Sequence, residues 1–253
     1  MSRSLRRRPS LALLRATACA VLPPAALALE PVDLELVLAV DASSSINRSE
    51  FNQQMIGLAE AFRHPRVQQA IEAAGPFGVA VTLIQWADNR HQETSVAWTL
   101  VHTPADCEAL AAAIDATPRH VVGGGTAIGG AIAFSMLSLE NNQYQGARQV
   151  IDVSGDGRAN QGEIPGQVRD RAVAAGITVN GLAILNEDPA LNVYYKNHVI
   201  GGHNAFVLTA PDYDAFRDAM IEKLVKEISG APVAGLPGGE GGRGEGQEQQ
   251  ARR

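Results

Sequence analysis

Five oxygen-bearing residues stand where a parallel sheet would present them to a ligand. Asp41, Ser43 and Ser45 alternate in the run Asp-Ala-Ser-Ser-Ser that ends the first apolar stretch. Thr126 follows Gly123-Gly124-Gly125, and Asp156 closes Ser154-Gly155-Asp156-Gly157 after a later apolar run. Two carboxylates and three hydroxyls, with no His or Cys, are hard donors of limited charge, which suits Mg²⁺, Mn²⁺ or Ca²⁺ better than zinc or copper. Alternate spacing lets one tight turn aim Asp41, Ser43 and Ser45 at a single point. The glycines let the backbone at Thr126 come close. Taken singly, Asp41 or Ser43 reads as a cap of the next helix and the glycines as a turn; their coincidence in three strand-end loops favours an ion site.

The elements that would position these residues alternate in the manner of a doubly wound α/β fold, a mostly parallel sheet with helices on both faces. Strands are expected at Leu34 to Val40, Phe77 to Trp86, Thr94 to Val101 (an edge strand), Ala147 to Val153, Ile177 to Ile184 and Ala205 to Leu208. Helices are expected at Glu50 to Arg63, capped by Asn47 or Ser49 and stopped or kinked by Pro65, then at Pro104 to Ala116, Thr126 to Leu139, Pro165 to Ala175, Pro189 to Ile200 and Asp212 to Ile228. In such sheets ligands sit beyond the carboxyl ends of the strands, where all five residues fall. Because both acids lie in loops, they are expected to be solvated.

In order and type, Asp41-Ala42-Ser43-Ser44-Ser45, Thr126 after glycines, and Asp156 before Gly157 resemble the metal-ion-dependent adhesion site of von Willebrand factor type A domains. The resemblance covers about residues 33 to 229, within a domain expected from 29 to 229. It implies that Ser43 and Ser45 bind the ion directly, Thr126 directly or through water, and Asp41 and Asp156 largely through water. It also implies an open coordination position for an Asp or Glu carboxylate of a protein partner. Mg²⁺ is the ion expected first, with Mn²⁺ or Ca²⁺ as alternatives. Ile151-Asp152-Val153-Ser154-Gly155-Asp156-Gly157 and Val199-Ile200-Gly201-Gly202 further resemble an uncharacterised bacterial family of exported type A domains.

The rest of the chain bounds the reading. Of 253 residues, 45% are hydrophobic, enough for a core without disulfide staples. The formal charge of -6 disfavours nucleic acid as a partner. Residues 1 to 28 read as a signal peptide: basic start, apolar run from Leu11 to Leu22, a Pro23-Pro24 break, then Ala26-Leu27-Ala28. Removing its five arginines takes the charge from -6 to -11 and leaves Cys107, read as buried and inert, as the single thiol. The expectation is an exported protein, periplasmic or extracellular, with no transmembrane segment in the mature chain. Residues 230 to 253, eight of them Gly, are expected to be a disordered tail.

Enzyme signatures are missing. Ile128 stands where a dinucleotide fingerprint from Gly123 needs its last glycine, and Ser154 lacks the first glycine of a nucleophile elbow. A hydrolase or phosphotransfer enzyme would need a general base, for which only Glu163 or His203 offers itself. Asp152 reads as a structural hydrogen-bonding residue, Asp88 and Asp106 as turn and cap residues, and the Tyr194-Tyr195 pair as partly exposed. The favoured reading is a binding module and not an enzyme, ahead of a metal-dependent enzyme or a metal-free scaffold.

Overall fold

The computed structural model describes residues 28–230. The expected signal peptide up to Leu27, and the tail beyond Gly230, fall outside the described residues; Ala28, the expected cleavage site, is the first described residue and is exposed. Thirteen elements alternate along the chain: β1 (Glu30–Asp41), α1 (Arg48–Arg63), α2 (Pro65–Glu72), β2 (Val79–Trp86), β3 (Gln92–Val101), α3 (Pro104–Asp115), α4 (Ile128–Glu140), β4 (Tyr144–Gly155), α5 (Pro165–Ala174), β5 (Thr178–Ile184), α6 (Leu191–His198), β6 (Val207–Ala210) and α7 (Phe216–Ser229). They build a six-stranded sheet in the order β3-β2-β1-β4-β5-β6. All neighbours pair in parallel except β3, which runs antiparallel to β2 at one edge.

Strand β1 explains why a near-continuous apolar run was needed. Leu34, Leu36, Leu38 and Val40 point to one face, where they pack with Phe51, Met55 and Leu58 of α1, Leu110 of α3 and Phe216, Met220 and Leu224 of α7. Val37 and Ala39 point to the other, packing with Ile128 and Ile132 of α4, Val168 of α5 and Leu191 and Tyr195 of α6. A strand covered on both faces alternates between two cores and cannot carry a polar side.

Three expectations change. Pro65 does not merely end a helix: at the first position of α2 its missing N–H costs nothing, and His64 Nδ1 accepts from Arg66 N at 3.2 Å to cap the new helix. Strands β1 and β4 begin earlier than expected, at Glu30 and Tyr144, because Glu35 buried between them accepts from Gly146 N at 2.8 Å and Gln149 Nε2 at 2.9 Å, so the polar residues there are paired. Strand β6 and helix α7 each begin later, at Val207 and Phe216. Asn180 Oδ1 takes the N–H of Phe206 at 3.0 Å, and Asp212 accepts from Ala215 N at 3.0 Å in a turn ahead of α7.

The sequential order reverses at β1: β2 lies on one side of it and β4 on the other. Val40 is in register with Ser154, which brings the carboxyl ends of β1 and β4 side by side. That pair of ends is the switch point at which doubly wound sheets open a crevice.

Candidate metal centre

Asp41 is the last residue of β1, and the chain turns sharply after it. Its Oδ1 accepts from the Ser43 N–H at 2.8 Å, a two-residue Asx turn that folds Ser43 and Ser45 back over the strand end. The two serine hydroxyls lie 3.2 Å apart. Neither Asp41 nor Ser43 caps α1. That task falls to Asn47, whose Oδ1 accepts from Ser49 N and Glu50 N in a capping box completed by Glu50. Relieved of capping, Asp41 and the serines stay available to a ligand.

Four hydrogen bonds close the three loops into a ring. Ser44 N donates to Gly124 O at 3.1 Å, joining the first loop to the glycine loop. Thr126 N donates to Asn160 Oδ1 at 2.9 Å and Asn160 N returns a bond to Thr126 O at 3.0 Å, joining the glycine loop to the loop after β4. Ser45 Oγ donates to Asp156 Oδ1 at 2.9 Å, joining the loop after β4 to the first. Gly123 and Gly124 hold φ of 77° and 94°, a left-handed conformation that a side chain would strain, and so let this loop bend against Ser44. The Thr126 hydroxyl faces Gly157, lying 3.8 Å from the point where a Cβ there would stand. All five residues singled out in the sequence are therefore gathered at one crevice.

The expected solvation of the acids is corrected by the fold. Asp41 is 0% exposed and Asp156 1%, because the two strand ends that carry them sit between α-helical layers. Burial, aided by the neighbouring charge of Asp156, pushes the Asp41 carboxyl up to about 7 despite the Ser43 N–H that favours the anion. Ser43 and Thr126 are buried as well, whereas Ser45 is exposed, so the crevice opens beside Ser45.

Residues with no signal in the sequence hold this arrangement. The Arg119 guanidinium donates to the carbonyls of Ala42 at 2.7 Å, Ser43 at 3.0 Å and Ile46 at 2.9 Å, while its Nε donates to Val121 O at 3.0 Å. One side chain thus pins the turn whose side chains face the crevice. Buried Gln54 of α1 donates to Asp41 O at 3.2 Å. Tyr213 donates its hydroxyl to Asp156 Oδ2 at 3.0 Å. Tyr195, expected to be partly exposed, is fully buried, because α6 lies flat on β5 and turns this ring into the core. Tyr194 is the half-buried member: its hydroxyl accepts from Ala159 N at 3.3 Å, and Arg158 lies over its ring.

Two buried polar atoms test whether an ion with its water shell fits. Asp41 Oδ2 and the Tyr195 hydroxyl have no hydrogen-bond partner among the described residues. Both face Gly155: a Cβ there would stand 2.8 Å from Asp41 Oδ2 and 2.9 Å from the Tyr195 oxygen. Buried polar atoms are ordinarily paired, and a carboxylate with one oxygen free above a hydroxyl-lined crevice suits a water-bridged role toward a cation. Among the described residues no three His, Cys, Asp or Glu side chains cluster. The donor set is hydroxyl-rich and charge-poor, and it fits a hard divalent ion better than zinc.

The other acids have partners of their own, although Asp88 lies against the glycine loop, its Oδ2 being 2.6 Å from where a Cβ on Gly124 would stand. Asp152 points into the core beneath α7, where Lys223 Nζ lies 2.8 Å from its Oδ1, so its role is structural as expected. Asp88 turns back on Arg90 N at 2.9 Å, and Asp106 completes a capping box with Thr103. Glu163 is paired with Arg171 at 2.8 Å. His203 lines a cavity of about 260 Å³ with Arg148, Thr178 and Lys226, at the amino ends of β4 and β5, the pole opposite the crevice. Cys107 is buried, and burial pushes its thiol up to about 11.

Comparison with known proteins agrees with this architecture. Proximal thread matrix protein 1 from the mussel byssus, solved with a zinc-occupied MIDAS motif, aligns at 17% identity with a TM-score of 0.56 over 78% of this chain and 48% of its own. The pilus adhesin SpaC from Lactobacillus rhamnosus GG aligns at 15% identity and 0.56, over 79% of this chain and 31% of its own. A von Willebrand factor type A structure from Catenulispora acidiphila aligns at 13% and 0.51, over 78% and 43%. This chain spans about half or less of the length of these neighbours, and at such identities the likeness establishes the fold alone: an α/β fold of the von Willebrand factor type A kind. No curated protein matches the chain. Residues 31–232 match the model of the family described as "Protein of unknown function (DUF1194)", and the chain belongs to that family.

Proposed function

We propose that the chain is an exported, metal-dependent protein-binding module of the adhesion type, working in the bacterial periplasm or outside the cell. Ser43, Ser45 and Thr126 would hold a divalent cation, Mg²⁺ first and Mn²⁺ or Ca²⁺ as alternatives, with Asp41 and Asp156 acting largely through water. The observation that carries the reading is the Ser45–Asp156 hydrogen bond within the closed ring of loops. Ser45 spends its one proton on the carboxylate, so Ser43 is the donor in the bond between the two hydroxyls, and Ser45 keeps one lone pair for a cation.

Bound there, the ion would supply an electrophilic position, because few carboxylates neutralise it directly. This chain's residues orient the hydroxyls, bury the two acids and leave the Ser45 side open. An Asp or Glu of a partner protein supplies the complementary carboxylate. Metal-bearing and adhesin-like neighbours of the same fold support the proposal, and among the described residues no helix is long and apolar enough to cross a membrane. A general base is what an enzyme would need; Glu163 is engaged by Arg171 and His203 sits at the far pole, so binding is the better supported function.

The open position can be tested by water-proton relaxation of the Mn²⁺-loaded chain. Adding a short peptide with a central Glu should displace metal-bound water and lower the relaxation enhancement, and the same peptide with Gln should not. Equal effects of the two peptides would contradict carboxylate capture.

A further inference from the structure

All five residues of the candidate site come from the end of β1 and the loop after it, from the loop after β4 and from the glycine loop ahead of α4. The hydrogen bond that completes Asp156 comes from elsewhere. Tyr213 lies in the connection between β6 and α7, is 5% exposed, and donates to Asp156 Oδ2 at 3.0 Å. With Ser45 on Oδ1 at 2.9 Å, both oxygens of this carboxylate are held from opposite sides. Tyr213 is itself fixed. Its carbonyl accepts from Phe216 N at 3.3 Å, Asp212 folds the same turn by accepting from Ala215 N, and its ring belongs to the core shared by α1 and α7.

We infer that Tyr213 is a positioning residue of the cation site: it fixes the carboxylate plane of Asp156 so that Ser45 donates to Oδ1 and keeps a lone pair, and no proton, toward the ion. The inference rests on the cation reading proposed above. Without the Tyr213 hydroxyl, Oδ2 of a buried carboxylate loses its partner, and the cheapest remedy is rotation about the Cβ–Cγ bond. That rotation takes Oδ1 away from Ser45 and frees its proton to point into the crevice, where it repels a cation. Outer-shell partners of this kind commonly govern metal affinity by about 10- to 100-fold. Asp41 is arranged differently, since Tyr195 lies beside it without a hydrogen bond between them. The dependence therefore falls on the Asp156 side.

The test compares Mn²⁺ binding by the full chain, Tyr213→Phe and Tyr144→Phe. Tyr144 is a buried tyrosine at the amino end of β4, the end opposite Asp156. Calorimetry gives the affinity, thermal melting of the ion-free forms gives the stability, and electron paramagnetic resonance gives the zero-field splitting of bound Mn²⁺. Tyr213→Phe should weaken binding about tenfold or more and alter the splitting, while Tyr144→Phe leaves both as in the parent. Binding by Tyr213→Phe within about twofold of the parent, with the same splitting, would overturn the inference while leaving the cation reading intact. Since the substitution removes one oxygen and keeps the ring, a variant that does not fold would show that the hydroxyl serves the fold and would also overturn it. No Mn²⁺ binding by the parent would instead remove the cation reading, and this inference with it.

Discussion

Ser45 and Asp156 are 111 residues apart in the chain and joined by a 2.9 Å hydrogen bond. The bond closes a ring in which each of three loops is tied to the other two. Neither residue is held by its own loop alone, so the crevice is a tertiary construction, and disturbing one loop disturbs the whole donor set.

Ser45→Ala removes a proposed ion ligand and leaves Asp156 Oδ1 buried without its partner. The ion-free chain should lose about 1 kcal/mol of stability, since the hydrogen bond is partly exposed on the serine side. Denaturant unfolding with and without Mg²⁺ separates the two effects: the parent gains stability from the ion and the variant does not.

Gly155→Ala tests the crowding around Asp41. The new Cβ would press on Asp41 Oδ2 at 2.8 Å and the Tyr195 oxygen at 2.9 Å. Residue 155 does not need a left-handed backbone, so the cost is steric, about 1–3 kcal/mol. A melting temperature equal to the parent's would show that the two side chains can give way freely.

Arg119→Met keeps much of the aliphatic stem and removes the donors to four carbonyls around the Ser43 turn. Stability should fall by about 2 kcal/mol, the loss expected when charged donors leave buried acceptors bare. Hydrogen exchange should show the opening concentrated in residues 42 to 46. Exchange raised uniformly over the domain would contradict a local role.

A buried charge cluster gives a pH dependence independent of the crevice. Lys223 and Glu227 of α7 are ion-paired with each other, and Lys223 also with Asp152 of β4; Asn180 of β5 donates to Glu227 Oε1 at 3.0 Å, and Arg148 donates to the Glu227 carbonyl. Burial, with the nearby Asp152 charge, pushes the Glu227 carboxyl up from 4.5 to about 7 against the pull of Lys223. The folded chain thus binds a proton more tightly than the unfolded chain does. That contribution to stability is complete below pH 4.5 and is lost as pH rises through about 7. Glu227→Gln should flatten the decline in melting temperature across this window. The decline should not vanish, because Asp41 is raised over the same range. An identical slope in parent and variant would contradict the assignment.

How much of this was legible in the sequence follows from range. The alternation of Leu34 to Val40 between two cores and the helical spacing of Phe51, Met55, Leu58 and Phe62 are local patterns, and they announced the doubly wound sheet. The Asp-x-Ser-x-Ser turn is local too, and its Asx geometry was implicit in the spacing. The burial of Asp41 and Asp156 was not, because it depends on helices far along the chain closing over the strand ends. Arg119, Asn160 and Tyr213 were missed for the same reason: each acts through one long-range hydrogen bond or a few, and no local pattern marks an arginine whose acceptors are backbone carbonyls 73 to 77 residues away. Pro65 misled in the other direction, since a proline that ends one helix is equally suited to begin the next.

The central claim is that Asp41, Ser43, Ser45, Thr126 and Asp156 form one divalent-cation site. Calorimetric titration of the metal-stripped chain with Mg²⁺, Mn²⁺ and Ca²⁺, repeated on Asp41→Ala, tests it most directly. The account predicts saturable binding of one ion by the parent and its loss in a variant that remains folded. Binding of equal strength by parent and variant, or none by the parent, would contradict it.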